Sequence, residues 1–226
     1  KAKKMNVYLC DANKISAINL TELANNWLHK NEFPLFQKRK NEIAKKEYIA
    51  SRFVIKKILS SYTSYNYHEL YVQFNHQEDK LQVYNNDKKL PFSLCISHSN
   101  GVVLIALGHN EISLGVDIEK IKVSRDYQAL AASYYHIDEQ SLIETHGINA
   151  FYRLWTLKEA LSKTLREPMT ALLKEKTLTQ LSPYYVNSGI YHDFDLSIIT
   201  SNSDNPLDTL IVSVLDLTHL TVQANS

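Results

Sequence analysis

Two carboxylates stand two residues apart in the apolar run "LGVDIEKI" (Leu114–Ile121), as Asp117 and Glu119. If the run is a strand, positions i and i+2 leave the same face. Like charges held side by side are unfavourable unless a cation lies between them. A hard divalent ion that takes oxygen ligands, Mg2+ above all, meets that need. A solvated strand face explains the same spacing without any ion, so the pair alone leaves both readings open.

A second group lies in "FYRLWTLKEALSK". Tyr152, Thr156, Glu159, Lys163 and Arg166 step by four, three, four and three residues, which places them on one stripe of a helix. Glu159 and Lys163 read either as an ordinary surface ion pair or as a third acidic ligand with a cation one turn on, suited to a metal-bound phosphate. A third group is "SHSNG" (Ser97–Gly101), where hydroxyls, the His98 imidazole and turn N–H groups could hold an anion. A solvated histidine in a turn fits equally, and no Gly-x-Ser-x-Gly elbow points to a hydrolase.

The elements that must carry these groups follow from periodicity. "MNVYLC" reads as a strand, "LTELANNWLHK" as a helix with Leu20, Leu23 and Trp27 on one side, and Asn41–Ser60 as a longer helix with Ile43, Ala50, Val54 and Ile58 inward. "HELYVQF" and "KLQVYN" form strands about the turn "NHQED". "PFSLCIS", "VVLIALG" and "ISLGVDIEKI" are further strands, the last expected as hairpin partner of the second. Ile148–Leu165 is a strong helix, followed by strand-like "YHDFDLSIIT" and "DTLIVSVLDL". The order strand, helix, strands occurs twice. This predicts an α+β protein of two halves, 1–108 and 109–226, each with a small, mostly antiparallel sheet and a long helix. With only 5 Gly and 5 Pro, no linker composition separates them, so tight packing and a site at their junction are expected.

Composition limits the function. Of 226 residues, 44% are hydrophobic and 22% charged, with 25 Lys+Arg against 24 Asp+Glu, so no global field argues for nucleic acid. The exception is the basic segment Phe36–Lys57, which points to a local anionic partner. No apolar run approaches the ~20 residues of a membrane span. "KAKKMNVYLC" leads into a strand rather than forming a signal peptide. Cys10 and Cys95 lack metal-ligand spacing and read as buried thiols of a reducing compartment, with the cytoplasm as default.

Taken in order, "FSLCISHSNG", "LGVDIE" and "FYRLWTLKEALSK" resemble the signature segments of the Sfp-type 4′-phosphopantetheinyl transferases, and "KKEYIASRFVIKKIL" resembles their upstream basic helix. The resemblance covers under a third of the chain. It implies a pseudo-symmetric two-half α+β fold in one polypeptide, acting as a monomer. It also implies transfer of the phosphopantetheine arm of coenzyme A to a serine of an apo acyl or peptidyl carrier protein, with release of 3′,5′-ADP. By the same resemblance Asp117, Glu119 and Glu159 hold Mg2+ on the pyrophosphate. Lys163 lies beside the reacting phosphate with Lys158 near it, and Glu139 (or Asp138) helps deprotonate the serine. His98 meets the 3′-phosphate with Ser97 beside it, and Arg39 and Arg52 (or Lys38) add positive charge. Lys88 or Lys89 contacts the nucleotide.

Two departures stand out: the family's K-x-x-G-x-G pattern is replaced by "KTLREPMTAL", and its Gly-Lys-Pro is absent at "NDKKLP". The alternatives are a metal-dependent nuclease or phosphodiesterase, and a catalytically inactive coenzyme A- or carrier-binding relative. Against the nuclease, Glu159 and Lys163 lie four apart on a helix, and the broad basic face that binds nucleic acid is missing.

Overall fold

The computed structural model describes residues 5–16, 19–109, 112–201, 212–215 and 217. The chain divides into two compact units, Asn6–Glu111 with Ile211–Ser226, and Lys1–Met5 with Ile112–Leu210. The 108/109 boundary expected from sequence assigns the last strand to the second half. In the structure that strand joins the sheet of the first.

The first unit opens with β1 (Met5–Asp11), α1 (Leu20–Trp27), α2 (Phe33–Gln37) and α3 (Glu42–Tyr62). It continues through β2 (Leu70–Asn75), β3 (Lys80–Asn85), β4 (Lys88–Lys89), β5 (Phe92–Ser99) and β6 (Val102–His109). The α3 helix starts where a helix should. The Asn41 side chain accepts a hydrogen bond from the Ala44 N–H at 2.8 Å, and Glu42 follows in the first turn. Its buried side carries Tyr48, Ile49, Ala50, Val54, Ile55 and Leu59, which share one core with Cys10, Val103, Ile105 and Leu107 of the sheet. Ile43, expected inward, is 45% exposed. It lies in the first turn of the helix, before the buried stripe begins at Tyr48.

That sheet has the order β10-β1-β6-β5, where β10 (Val212–Leu215) runs parallel to β1. The expected "DTLIVSVLDL" strand is present at these four residues, and residues 208–211 lie outside those described. The β5–β6 hairpin turns at Asn100 (φ 50°) and Gly101 (φ 88°), the left-handed pair a two-residue hairpin favours. Ser97, His98 and Ser99, read from sequence as turn residues, are therefore the last three residues of β5. Alternation buries Ser97 and Ser99 and exposes His98. A separate sheet, β2-β3-β4, contains the expected turn between β2 and β3.

The second unit holds β7 (Leu114–Lys120), α4 (Tyr127–Tyr134), α5 (Ile137–His146), α6 (Ile148–Leu165), α7 (Met169–Leu172) and α8 (Thr177–Leu181). The strands β8 (Tyr185–Tyr191) and β9 (Phe194–Thr200) complete a sheet of order β7-β9-β8, antiparallel throughout. Here the sequence expectation is corrected, because β7 is not the hairpin partner of β6 but pairs with β9. The reason is burial. Val116 and Ile118 are 0% and 1% exposed and Asp117 only 6%, so β7 has no solvated face and needs covering on both sides. The mixed α+β class with small, mostly antiparallel sheets and a long helix in each unit agrees with what the resemblance implies.

The α6 helix ends on Arg166, whose backbone is left-handed (φ 61°, ψ 39°). The Glu167 N–H reaches back to the Ser162 carbonyl at 3.1 Å, closing the C-terminal turn. This is the position where the family pattern has its first glycine. The arginine thus adopts a left-handed backbone that favours glycine, at a cost of about 1 kcal/mol. Arg166→Gly is expected to stabilise the protein by roughly 0.5–1 kcal/mol in a denaturant titration. A neutral or destabilising result would refute the strain.

Candidate functional site

Asp117 and Lys163 meet where α6 crosses β7, and Glu159 on the same helix feels the charge of Asp117 and Glu119. The approach is close because Gly115 has no side chain. A Cβ there would lie 1.9 Å from the Ala160 carbonyl oxygen and 2.4 Å from the Thr164 hydroxyl. With helix and strand in backbone contact, the Lys163 ammonium reaches over. It donates to the Val116 carbonyl and to Asp117 Oδ1, each at 2.9 Å. The Glu159 carboxyl is held above the usual carboxylate range, first by burial and then by the negative charge of Asp117, with Glu119 adding to it and Lys163 opposing. The three acids thus act on one another electrostatically. Glu119 itself lies 3.8 Å from Arg125 Nη1.

An oxygen-only set of three carboxylates suits Mg2+ in donor chemistry and in charge. Among the described residues, no three His, Cys, Asp or Glu side chains are already grouped to hold a metal ion. In this conformation Lys163 engages Asp117, and Arg125 is the neighbour of Glu119.

Under α6 the sheet carries a polar network that sequence reading missed. Asp195 of β9 stands opposite Glu119 in register and is 1% exposed. It accepts from Arg153 Nε at 3.0 and 3.1 Å and from the Thr156 hydroxyl at 2.7 Å. Burial still holds its carboxyl above the ordinary range, against the pull of Arg153 and Thr156. Thr156 also meets the Ser197 hydroxyl at 2.8 Å, and Ser197 meets that of Ser188 at 2.9 Å. Thr156, expected on an open polar stripe, is turned into the protein. The one hint in the sequence was its place among polar residues at helical spacing.

Lys158 and Glu139 lie on α6 and α5, each 1% exposed, as an ion pair of 2.9 Å. Lys158 also donates to the carbonyls of Leu172 (3.0 Å) and Glu175 (2.7 Å), and Glu139 accepts the Thr177 N–H at 2.8 Å. The pair ties α5 and α6 to the segment after α7. A part in the chemistry, which the resemblance implies for both, would require it to open. Asp138, the alternative to Glu139, is exposed and bonds Lys176 at 2.6 Å.

The first unit gathers a second group. Arg39, Arg52 and His98 line one cavity of about 160 Å3 with Tyr48, Ser51 and Glu47. Both guanidiniums lie over the Tyr48 ring, at 5.0 Å for Arg39 and 4.1 Å for Arg52. His98 Nδ1 meets Glu47 Oε2 at 2.8 Å, and the other Glu47 oxygen accepts the Gly101 N–H at 2.7 Å. The hairpin turn and the imidazole are thus set by one carboxylate. Arg52 is braced from behind by Glu32, a fully buried acid that sequence reading did not select. Glu32 takes the Lys56 ammonium at 2.6 Å, the Val72 N–H at 2.8 Å and the His29 N–H at 3.0 Å, with Arg52 Nε at 3.8 Å. The basic segment singled out in the sequence is therefore partly spent inside the fold. Two cations and an imidazole remain around a hollow that suits a small anion. Ser97 and Lys88 are not among its lining residues. Ser97 is buried in β5, and Lys88 is exposed on β4.

These geometries agree with what similarity shows. Residues 113–203 match the model of the 4′-phosphopantetheinyl transferase superfamily. That segment contains β7 and α6, and with them Asp117, Glu119, Glu159 and Lys163. One curated relative, the 4′-phosphopantetheinyl transferase gsp of Aneurinibacillus migulanus, is 31% identical over 100 residues. The alignment covers 41% of this chain and 40% of that protein, so the chain matches less than half the length of this relative. No helix among the described residues is long and apolar enough to cross a membrane.

Two substitutions probe this architecture. Lys158→Met leaves Glu139 buried without its cation and is expected to cost about 3–5 kcal/mol in chemical denaturation; a loss under 1 kcal/mol would show the pair to be open in solution. Gly115→Ala forces α6 off β7 and is expected to cost about 1–3 kcal/mol. Its effect on the Asp117–Lys163 pair is read from the exchange protection of the β7 amides, which should fall.

Proposed function

We propose that this protein transfers the 4′-phosphopantetheine arm of coenzyme A to a serine of an apo acyl or peptidyl carrier protein, releasing 3′,5′-ADP, with Mg2+. The observation that carries the reading is the Asp117–Lys163 contact at the α6–β7 crossing, with Glu159 under the electrostatic influence of Asp117 and Glu119, within the segment that matches the superfamily. The similarity to a 4′-phosphopantetheinyl transferase over part of the chain supports the same activity.

Phosphoryl transfer asks a protein mainly for positioning and for charge to offset what develops on the phosphate oxygens. Asp117, Glu119 and Glu159 would hold Mg2+, which when bound supplies neutralisation of the pyrophosphate and stabilises the leaving 3′,5′-ADP. Lys163 brings a fixed positive charge beside the acids, and its ammonium would turn to the reacting phosphate. In the first unit, the cavity of Arg39, Arg52 and His98 would take the 3′-phosphate. Arg52 supplies a guanidinium whose place is set by Tyr48 and Glu32, so little ordering cost is left for the ligand. His98, kept in orientation by Glu47, would donate a hydrogen bond to the same group.

The test is incorporation of a fluorescent pantetheine arm from labelled coenzyme A into a panel of apo fatty-acid, polyketide and peptide-synthetase carrier proteins. Labelling is expected to need a divalent ion. Asp117→Ala and Glu159→Ala are each expected to reduce it by about 100-fold or more, roughly the scale of one lost electrostatic contact in a transition state. Circular dichroism should remain that of the parent. Undiminished labelling by both variants would overturn the assignment.

A further inference from the structure

Both acids on β7 face a cation of the chain itself. Lys163 lies 2.9 Å from Asp117 and is held in place by the Val116 carbonyl. Arg125, in the loop between β7 and α4, lies 3.8 Å from Glu119. Its guanidinium is kept there by two rings of α6, Tyr152 at 5.6 Å and Trp155 at 6.0 Å. Tyr152 in turn accepts the Lys122 N–H at 3.0 Å, which fixes the start of the same loop. Each cation is about 30% exposed on its side chain, so each has an open direction in which to move.

We propose that Arg125 and Lys163 are built-in counter-ions. With no divalent ion bound they neutralise Glu119 and Asp117, and both must release for the ion to enter. This rests on the metal-dependent reading given above and assigns a role to Arg125, which the sequence motifs did not select. The physical argument is competition for the same oxygens. Two neighbouring carboxylates, one buried and one partly exposed, repel each other when no counter-charge is present. Two local cations relieve that repulsion but lower the affinity of the site for Mg2+ by occupying its ligands. Once displaced, an ammonium and a guanidinium are left beside an anion-binding metal. The guanidinium's fork geometry suits phosphate oxygens. Mg2+ and a diphosphate therefore favour each other's binding, because the diphosphate takes up the cations that the metal releases.

The experiment is calorimetric titration of the full chain with MgCl2 alone, in the absence of coenzyme A. The chains compared are the parent, Arg125→Met, Lys163→Met, the charge-keeping Arg125→Lys and Lys163→Arg, and Asp117→Asn as the control that should lose the ion. Each Met variant is expected to bind Mg2+ about tenfold more tightly than the parent. The charge-keeping variants should stay near the parent. Thermal melting gives a second readout. The Met variants should melt lower than the parent without Mg2+ and gain more on its addition. Arg125→Gln and Lys163→Gln decide the matter should a Met variant fail to fold. Met or Gln variants that bind Mg2+ no more tightly than the parent overturn the counter-ion role while leaving the metal site standing. If no chain, parent or variant, takes up the ion, the metal reading falls and this inference falls with it.

Discussion

The candidate chemistry depends on one steric constraint, the absence of a side chain at Gly115. Helix-on-sheet packing normally keeps backbones apart by the thickness of two side-chain layers. At this point α6 touches β7, with the Ala160 carbonyl where a Cβ would be. That contact brings Lys163, one turn further along α6, within hydrogen-bond reach of Asp117, and lets Glu159 sense Asp117 and Glu119. The glycine in "LGVDIE" is needed for its lack of volume and not for any unusual backbone angle. Its φ is ordinary for a strand, and the four chemical side chains around it depend on that missing volume.

The two units solve the problem of buried charge in a common way. Glu32, Glu139 and Asp195 are each sunk to 1% exposure or less, and each has a basic partner plus further hydrogen bonds to remaining lone pairs. Such pairs contribute little net stability, because desolvation offsets most of the attraction. They are strict about partners, however, since a slipped register leaves a charge bare in the interior. Glu32 fixes α3 against β2, Glu139 fixes α5 against α6, and Asp195 fixes α6 against β9. The buried Asp117 and the partly exposed Glu119 are built differently, with cations that retain a route to solvent.

How far the sequence reveals this varies with the range of the interaction. Local periodicity was enough for the long helices α3 and α6 and for most strands, because the 3.6- and two-residue repeats are written in adjacent residues. The spacing of Asp117, Glu119, Glu159 and Lys163 was equally legible, and their resemblance to a known family placed them together. What was not legible is pairing. Nothing in β7 distinguishes β6, its neighbour in sequence, from β9, some 80 residues on, as the strand it joins. The burial of its first five positions, on both faces, is the only sign that it needs cover on both sides. Arg153–Asp195, Lys56–Glu32 and Arg125–Glu119 escaped for the same reason. A single polar residue in an apolar stretch reads as a surface position until its partner is seen. Tyr152 and Thr156 read as members of the polar stripe of α6, although the helix is buried on most of its circumference.

The parallel pairing of β10 with β1 sets the order in which this chain can finish folding. The β1 strand is translated before the whole 112–201 region, and its outer neighbour, Val212–Leu215, only after it. Until then β1 offers an unpaired edge of backbone N–H and C=O groups, a template for any other extended segment. A contact between strands this far apart in sequence, Val7 with Val212, is also among the slowest to form, since the intervening chain must close before it is rewarded. The Asn6–Glu111 region therefore waits on translation for the Val212–Leu215 strand, and crowding by other nascent chains is most hazardous in that interval.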